Sequence, residues 1–226
     1  MDAALLPVKA LARAKQRLAV DLERELRRAV VRGLVDDALS LCEQSRWFEW
    51  WVVSDDPWVR EEARRRRLNA IHDLGGGLNR ALQAAVETVS VFGAASVTIV
   101  PCDVPLATAE ELRDLLDTGE TSEVVVVPAL RDGGTNGLHL CPPAAIQPAF
   151  GPGSMQAHVS AADARGLRCS ILELDGLSVD IDRIEDVDLF LDRPQANETA
   201  TGRALLRSSE SPASSVAFAL RRPDLL

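Results

Sequence analysis

Hydrophobic runs of strand length alternate along this chain with longer segments in which apolar residues recur at helical spacing. The first kind predicts buried strands, and the second predicts helices with one core-facing side. The strand-like runs lie at residues 5–9, 47–54, 68–72, 95–106, 123–128, 137–140 and 169–174, and the helix-like segments at 21–41, 78–89, 108–116 and 154–165. This alternation predicts an α/β fold with a mostly parallel central sheet flanked by helices.

The chain length of 226 residues fits one large domain. We assign residues 1–191 to this domain and expect residues 192–226 to form a flexible C-terminal tail, because that stretch is polar and poor in large apolar residues. No apolar run approaches the ~20 residues of a membrane span, and the N-terminus lacks the apolar core of a signal peptide. These patterns predict a cytoplasmic protein that does not bind membranes.

The net charge of −9 argues against a nucleic-acid-binding surface, since such proteins concentrate positive charge along one face. A small anionic ligand stays compatible with this charge, because a local group of Lys and Arg can outweigh the global balance. The cysteines are far apart in sequence and form no CxxC pair, which predicts reduced thiols rather than a zinc site. They are Cys42, Cys102, Cys141 and Cys169.

The run at residues 95–106 ends on Pro101, Cys102 and Asp103. A buried parallel strand that closes on a carboxylate delivers it to the ligand crevice at the carboxyl end of the sheet. Asp103 is therefore a candidate metal ligand. The alternative is that Asp103 only caps the turn before the next helix.

A second change from apolar to acidic residues occurs at Asp180 and Asp182, which share one side if the segment is extended. Two like charges held about 4 Å apart repel by roughly 4 kcal/mol at an effective dielectric of 20. A buried pair therefore requires a cation or a shifted pKa. With Asp103, the pair would make an all-oxygen site of the kind that magnesium occupies.

Two segments could bind the parts of a nucleotide. The loop after the first strand carries Lys9, Arg13, Lys15 and Arg17, which suit a triphosphate, although a solvated helix face explains the same cluster. Three glycines at 75–77 precede the helix that begins at Leu78, where a base or ribose could approach the backbone. The glycine segment lacks the Walker Lys and the GxGxxG spacing, so it supports neither a P-loop site nor a dinucleotide site.

Residues 131–136 (RDGGTN) offer donors with little steric bulk, as a small oxyanion requires, although a β-turn is the plain alternative. Residues 150–154 (FGPGS) introduce the next helix, and Ser154 is expected to cap it and to present an anion site. His158, one turn into that helix, is expected to be packed or hydrogen-bonded rather than catalytic.

Together these segments resemble the 2-phospho-L-lactate guanylyltransferase family of coenzyme F-420 biosynthesis, whose relatives include phosphoenolpyruvate and 3-phosphoglycerate guanylyltransferases. The matches follow the family order from about residue 6 to 191. They are LPVKALARAKQRLA at 6–19, VVSDD at 52–56, GGGLNRAL at 75–82, DVP at 103–105, RDGGTNGL at 131–138, FGPGSMQAH at 150–158 and the acidic segment at 180–186. Cys102 stands where the family commonly has Ala or Gly, so we expect it to shape the acceptor pocket.

The resemblance implies a single-domain nucleotidyltransferase with a glycosyltransferase A-like, Rossmann-like fold. It would transfer GMP from GTP to a three-carbon phospho-acid, namely 2-phospho-L-lactate, phosphoenolpyruvate or 3-phospho-D-glycerate, and release pyrophosphate. The alternatives are a related enzyme with a sugar phosphate or molybdopterin acceptor, and a nucleotide-binding module without turnover. A homodimer and a downstream F-420 pathway transferase that accepts the product are further expected partners.

The same resemblance implies roles for individual residues. Catalysis is expected to depend on Asp103, Lys9 and Lys15. The remaining expectations are magnesium at Asp103, Asp180 and Asp182; the triphosphate at Lys9, Lys15 and Arg17; the guanosine at Gly77, Leu78 and Asn79; and the acceptor at Thr135, Gly151 and Ser154.

Overall fold

The computed structural model describes residues 1–11, 15, 18 and 22–209. The strands in these ranges are β1 (Asp2–Pro7), β2 (Glu49–Ser54), β3 (Asn69–His72), β4 (Ser96–Ile99), β5 (Val124–Pro128), β6 (Thr135–Leu140) and β7 (Cys169–Ile171). The helices are α1 (Arg24–Gln44), α2 (Pro57–Arg65), α3 (Leu78–Val91), α4 (Ala109–Gly119), α5 (Ser154–Asp163), α6 (Ile184–Leu191) and α7 (Ala200–Ser209), with a 3₁₀ helix at Pro194–Glu198. Within the same ranges, none of the helices combines the length and the apolar character needed to cross a bilayer.

The strands form one sheet in the order β3-β2-β1-β4-β6-β5-β7. All neighbours are parallel except β6, which runs antiparallel to both β4 and β5. The predicted α/β fold with a mostly parallel sheet is therefore confirmed. The chain reverses its direction of travel across the sheet between β1 and β4, and such a switch point opens a crevice at the carboxyl ends of the two strands.

Helices cover both faces of the sheet, as the continuous apolar strands require. Ala4 and Leu6 of β1 pack into one buried cluster with α1, α2 and α4, while Ala3 and Leu5 pack into another with α3 and α5. Successive side chains of β1 thus point to opposite faces of the sheet and pack into two separate cores. The crevice at the end of β1 is consequently bordered by rigid, buried elements.

The chain beyond residue 191 differs from the predicted flexible tail. It forms the 3₁₀ helix and then α7, which packs on α1. Gly33 lets the two helices approach closely, because a Cβ there would lie 2.7 Å from the Thr201 Cα. Asp37 accepts hydrogen bonds from the backbone N–H of Ala200 (2.7 Å) and Thr201 (2.9 Å), so a residue of α1 caps the start of α7. The flexible-tail expectation is wrong for 194–209, and residues 210–226 lie outside the described part of the chain.

A buried histidine lies on β6 beside the core. His139 is 1% exposed, and its Nδ1 lies 2.9 Å from the hydroxyl of Thr98 on β4. Burial lowers the pKa of His139 to about 4, with Asp2 opposing the shift. The fold therefore holds this imidazole in its neutral form.

This histidine predicts a pH dependence of stability. The pKa of His139 is near 6.5 in an unfolded chain and about 4 in the fold, so the unfolded state binds the proton more readily between these values. The stability from neutral His139 is complete above pH 6.5 and is lost as the pH falls towards 4. His139→Gln should reduce the slope of unfolding free energy against pH in this window by at most ~1.4 kcal/mol per pH unit. Parallel curves for the two proteins, from urea unfolding at several pH values, would contradict it.

Capping of α7 by Asp37 predicts a loss of stability in Asp37→Ala. The substitution leaves the first N–H groups of α7 without their acceptor, so the free energy of unfolding should fall by ~2 kcal/mol. Glu25→Ala, on the same helix, is the control. It removes an exposed pair with Arg28 and an acidic side chain from the first turn of α1, and should change stability by less than ~1 kcal/mol. Equal effects in denaturant unfolding would show that the cap does not hold α7.

Candidate active site

A cavity of about 560 Å³ opens at the carboxyl ends of β1 and β4, where the strand order switches. Such a volume is in the range of small-molecule sites. Its polar lining is a set of ammonium and carboxylate groups together with the glycine loop. The lining residues include Lys9, Lys15, Asp55, Asp73, Gly75, Gly76, Gly77, Leu78, Pro101, Cys102, Asp103 and Asp182.

Lys15 joins the two acidic segments across the cavity. Its Nζ donates to Asp103 Oδ2 at 2.5 Å and to Asp182 Oδ1 at 2.9 Å. Burial alone would lower the pKa of Lys15, but the charges of the two carboxylates and the hydrogen bonds to them outweigh it and raise that pKa. Lys15 also has φ of 52°, a left-handed conformation that costs a non-glycine residue about 1 kcal/mol. The ion pairs therefore hold the ammonium against a local backbone preference.

Asp180 lies apart from this bridge, although it interacts electrostatically with Asp103. Its Oδ1 accepts from Asn136 Nδ2 at 3.2 Å. Burial, and next the charge of Asp103, raises the pKa of Asp180 to about 6. Residues 179–183 are irregular and bend at Asp182, and we call them the acidic turn; because they are not a strand, Asp180 and Asp182 reach the site through different contacts instead of through strand alternation.

The acidic turn is anchored by Asp186, which the sequence analysis did not single out. Asp186 Oδ2 accepts from the backbone N–H of Asp182 (2.9 Å) and Arg183 (2.7 Å), while its Oδ1 accepts from Arg131 (2.7 Å). The Ile181 N–H donates to the Asp103 carbonyl at 3.0 Å. These bonds fix the position of the turn relative to both β4 and the RDGGTN loop. An acidic residue three positions after a turn, as in a capping box, is the sequence signal that points to Asp186.

The carboxylates suit a divalent cation by their chemistry. No three acidic, His or Cys side chains in the described ranges converge as a ready-made metal site. Asp103 and Asp182 nevertheless already share one cation, the ammonium of Lys15, and Asp180 lies close enough to raise the local negative charge. Carboxylate oxygens are the ligands that magnesium prefers in proteins. The residues present therefore fit such an ion.

The other predicted triphosphate ligands are placed unequally. Both Lys9 and Lys15 line the cavity. Lys9 is exposed, whereas Lys15 is partly buried. Arg17 lies outside the described residues, as does Arg13. The cavity therefore brings two of the predicted cations together beside the carboxylates.

The glycine loop forms the opposite wall of the cavity. Gly75, Gly76 and Gly77 have φ of 88°, 96° and 96°, values that side chains rarely adopt, so glycine is required at each position. Gly77 and Leu78 line the cavity, as expected for a nucleoside site. Asn79 instead turns to Phe150, since its amide donates to the Phe150 carbonyl at 3.0 Å and accepts from the Phe150 N–H at 2.8 Å. Its side chain thus joins the glycine loop to the FGPGS loop.

Two further carboxylates, which the sequence analysis did not assign to the site, also line the cavity. Asp55 follows β2 and accepts from the Ala10 N–H at 3.2 Å, which ties down the start of the basic loop. Asp73 follows β3 and accepts from the Gly75 N–H at 2.7 Å, which shapes the glycine turn. Their position directly after parallel strands was the available signal.

The predicted acceptor residues form a buried polar cluster. The hydroxyls of Thr135 and Ser154 lie 3.0 Å apart, and Thr135 Oγ1 lies 3.0 Å from Nδ1 of His158. Gly153, in a left-handed conformation, occupies the N-cap of α5, so the expectation that Ser154 caps this helix is wrong. Gly151 lies in the same loop with φ of 137°. Asn136, the next residue after Thr135, donates a hydrogen bond to Asp180. This bond links the polar cluster to the acidic turn.

Cys102 lines the cavity next to Asp103 and also packs against two hydrophobic clusters. Burial, and then the charge of Asp103, raises the pKa of its thiol to about 12. The thiol is therefore protonated at neutral pH and is not a nucleophile. Its role in selecting an acceptor stays a prediction.

Two solved structures with the same fold carry transferase names. A protein of Desulfovibrio desulfuricans G20 assigned to the nucleotide-diphospho-sugar transferases matches with a TM-score of 0.77 and 16% identity, over 92% of this chain and 95% of that one. A nucleotidyl transferase from Methanothermobacter matches with a TM-score of 0.63 and 16% identity, over 85% of this chain and 96% of that one. These likenesses establish the predicted nucleotidyltransferase fold.

Relatives found by sequence identify the family more narrowly than the structural matches do. The phosphoenolpyruvate guanylyltransferase of Sphaerobacter thermophilus is 38% identical over 186 residues, which cover 82% of this chain and 90% of the relative. The 3-phospho-D-glycerate guanylyltransferase of Phenylobacterium zucineum is 32% identical over 216 residues, or 92% and 98% of the two chains. Residues 2–208 match the family described as guanylyl transferase CofC like. The resemblance drawn from the motifs is thereby confirmed, and the chain belongs to the CofC-like guanylyl transferase family.

Proposed function

We propose that this enzyme transfers GMP from GTP to the phosphate of a three-carbon phospho-acid and releases pyrophosphate. The single observation that carries the proposal is the cavity in which Lys15, Asp103 and Asp182 face the glycine loop. The names of the guanylyltransferase relatives support the same reaction. In the reaction an acceptor phosphate oxygen forms a bond to the α-phosphorus of GTP, and the bond from that phosphorus to the β-phosphate bridging oxygen breaks.

This reaction places few demands on acid–base groups. The acceptor phosphate is already ionised at neutral pH, so no strong general base is required. The main barrier is the approach of two anions, which positioning and charge neutralisation can lower. The cavity supports this role, because it holds ammonium groups beside carboxylates that accept a cation.

Nucleotidyltransferases generally use a divalent metal, and we propose magnesium here. Asp103, Asp180 and Asp182 would hold it, and when bound it neutralises the negative charge of the two phosphate groups. Lys15 would then exchange its carboxylate partners for phosphate oxygens, which its long side chain permits. Lys9 would bind the same triphosphate from the rim, with Arg17 a further ligand on sequence grounds.

The base and the acceptor would contact different loops of the site. Gly77 and Leu78 would contact the guanosine through backbone and apolar surface, and Asn79 would support this wall through its bonds to Phe150. Thr135, Gly151 and Ser154 would bind the phosphate and carboxylate of the acceptor. The homodimer and the downstream F-420 pathway transferase stay predictions from the sequence.

The division between donor and acceptor sites is tested by steady-state kinetics. Pyrophosphate release is measured with GTP, magnesium and, in turn, 2-phospho-L-lactate, phosphoenolpyruvate and 3-phospho-D-glycerate. We expect turnover with at least one acceptor. With that acceptor, Thr135→Val and Ser154→Ala should raise its KM by ~10-fold or more, because each removes a hydroxyl that binds an anion, while the KM for GTP changes little.

Thr98→Val is the matched control, since Thr98 is also a buried threonine bonded to a histidine, but its partner is His139 and not His158 or Ser154. It should leave both KM values near those of the wild type. Equal rises in the two KM values of Thr135→Val would contradict the acceptor assignment. Absence of turnover with all three acceptors would instead favour the sugar-phosphate or molybdopterin enzyme, or the binding module.

A further inference from the structure

A buried chain of hydrogen bonds leads from the backbone to the acceptor cluster. The Ala149 N–H donates to Nε2 of His158 at 2.9 Å, and Nδ1 of the same ring lies 3.0 Å from Thr135 Oγ1. Ser154 Oγ donates to Thr135 Oγ1 at 3.0 Å. His158, Ser154 and Thr135 are 0%, 2% and 6% exposed. Because these side chains are buried, protein groups rather than solvent determine which atom donates and which accepts in each of these hydrogen bonds.

The backbone fixes the tautomer of His158. An amide N–H can only donate, so Nε2 must be the unprotonated nitrogen of the neutral ring. Burial lowers the pKa of His158 to about 4, which keeps the ring neutral at physiological pH. The single ring proton must then be on Nδ1, which donates it to Thr135.

This tautomer determines which groups remain to bind a ligand. Thr135 and Ser154 carry two hydroxyl protons, and one of them is used in the bond between the two hydroxyls. Because His158 donates to Thr135, the other hydroxyl proton is left available. The opposite tautomer would accept that proton from Thr135, and the pair would have no donor left for an anion.

We propose that His158 is a positioning residue which orients the Thr135–Ser154 pair so that one hydroxyl proton points to the oxyanion of the acceptor. The inference rests on the proposed function, since it deepens the acceptor site assigned there. His158 itself touches neither substrate nor metal ligand. It acts through Thr135, and its ring packs against the ring of Phe150 in a T-shaped arrangement with the centroids 5.5 Å apart.

The chain offers a matched control in its other buried threonine–histidine pair. His139 lies on β6, the same strand as Thr135, and its Nδ1 lies 2.9 Å from Thr98 Oγ1. It is 1% exposed, and burial lowers its pKa to about 4 as for His158. Loss of either imidazole therefore has a similar structural cost, but only one of them touches the acceptor cluster.

The kinetic test compares His158→Leu, His158→Gln and His139→Leu. His158→Leu should raise the KM of the acceptor by about 10- to 100-fold and leave the KM of GTP within about twofold. His158→Gln should restore most of the affinity, because its amide can donate to Thr135 while its carbonyl accepts from Ala149. His139→Leu should leave both KM values unchanged.

Failure of this inference differs from failure of the proposed function. If Thr135→Val raises the acceptor KM and His158→Leu does not, the acceptor site stands and the positioning role is wrong. Equal rises in both KM values in His158→Leu and His139→Leu would mean a general structural effect and would also overturn it. If no acceptor is turned over, or Thr135→Val has no effect, the acceptor site itself is wrong.

A measurement on the unaltered protein covers the case in which His158→Leu does not fold. Nitrogen-15 NMR of the histidine rings distinguishes the two neutral tautomers directly. We expect His158 to carry its proton on Nδ1, with the resonance assigned from the spectrum of His158→Gln. A proton on Nε2 would overturn the proposal, whatever the kinetic result.

Discussion

Negative charge concentrated at the carboxyl ends of β1 and β4 is the constraint around which this molecule is arranged. Asp103 and Asp182 share the ammonium of Lys15, and burial, together with the nearby charge of Asp103, raises the pKa of Asp180. Two such charges about 4 Å apart cost roughly 4 kcal/mol at an effective dielectric of 20 unless a cation offsets them. Lys15 of the basic loop supplies a cation that bridges two of these carboxylates, and the substrate complex would require further positive charge.

The carboxylates stay together because separate parts of the chain hold them. The Asp103 carbonyl accepts from the Ile181 N–H, and Asp186 holds the backbone of the acidic turn while it pairs with Arg131. Asn136 links Asp180 to the strand that carries Thr135. A rigid scaffold of this kind lets repelling groups persist, since local relaxation would break several bonds at once. The same contacts place the acceptor cluster next to the charged cavity.

Much of the fold could be predicted because its signals are local. Asp103 follows the apolar run of β4 within a few residues. The glycines before α3 likewise predict a turn at that point. The antiparallel direction of β6 could not be predicted, because a short apolar strand has the same pattern in either direction. The contacts of Lys15 with Asp103 and Asp182 join residues 88 and 167 positions apart, which no local pattern encodes. Docking of α7 depends likewise on Asp37 and Gly33, distant residues that look ordinary within α1.

We propose that the carboxylates offset by Lys15 are those that bind the metal of the GTP complex. The most direct test is a titration of the protein and GTP with Mn²⁺, followed by the electron paramagnetic resonance of the free ion. We expect the wild type to bind Mn²⁺ beyond the amount taken up by GTP alone, and Asp103→Asn to weaken this binding at least about 10-fold. Asp188→Asn, on α6 and away from these contacts, should bind like the wild type. If Asp103→Asn binds Mn²⁺ as tightly as the wild type, Asp103 is not a metal ligand, which would contradict this assignment.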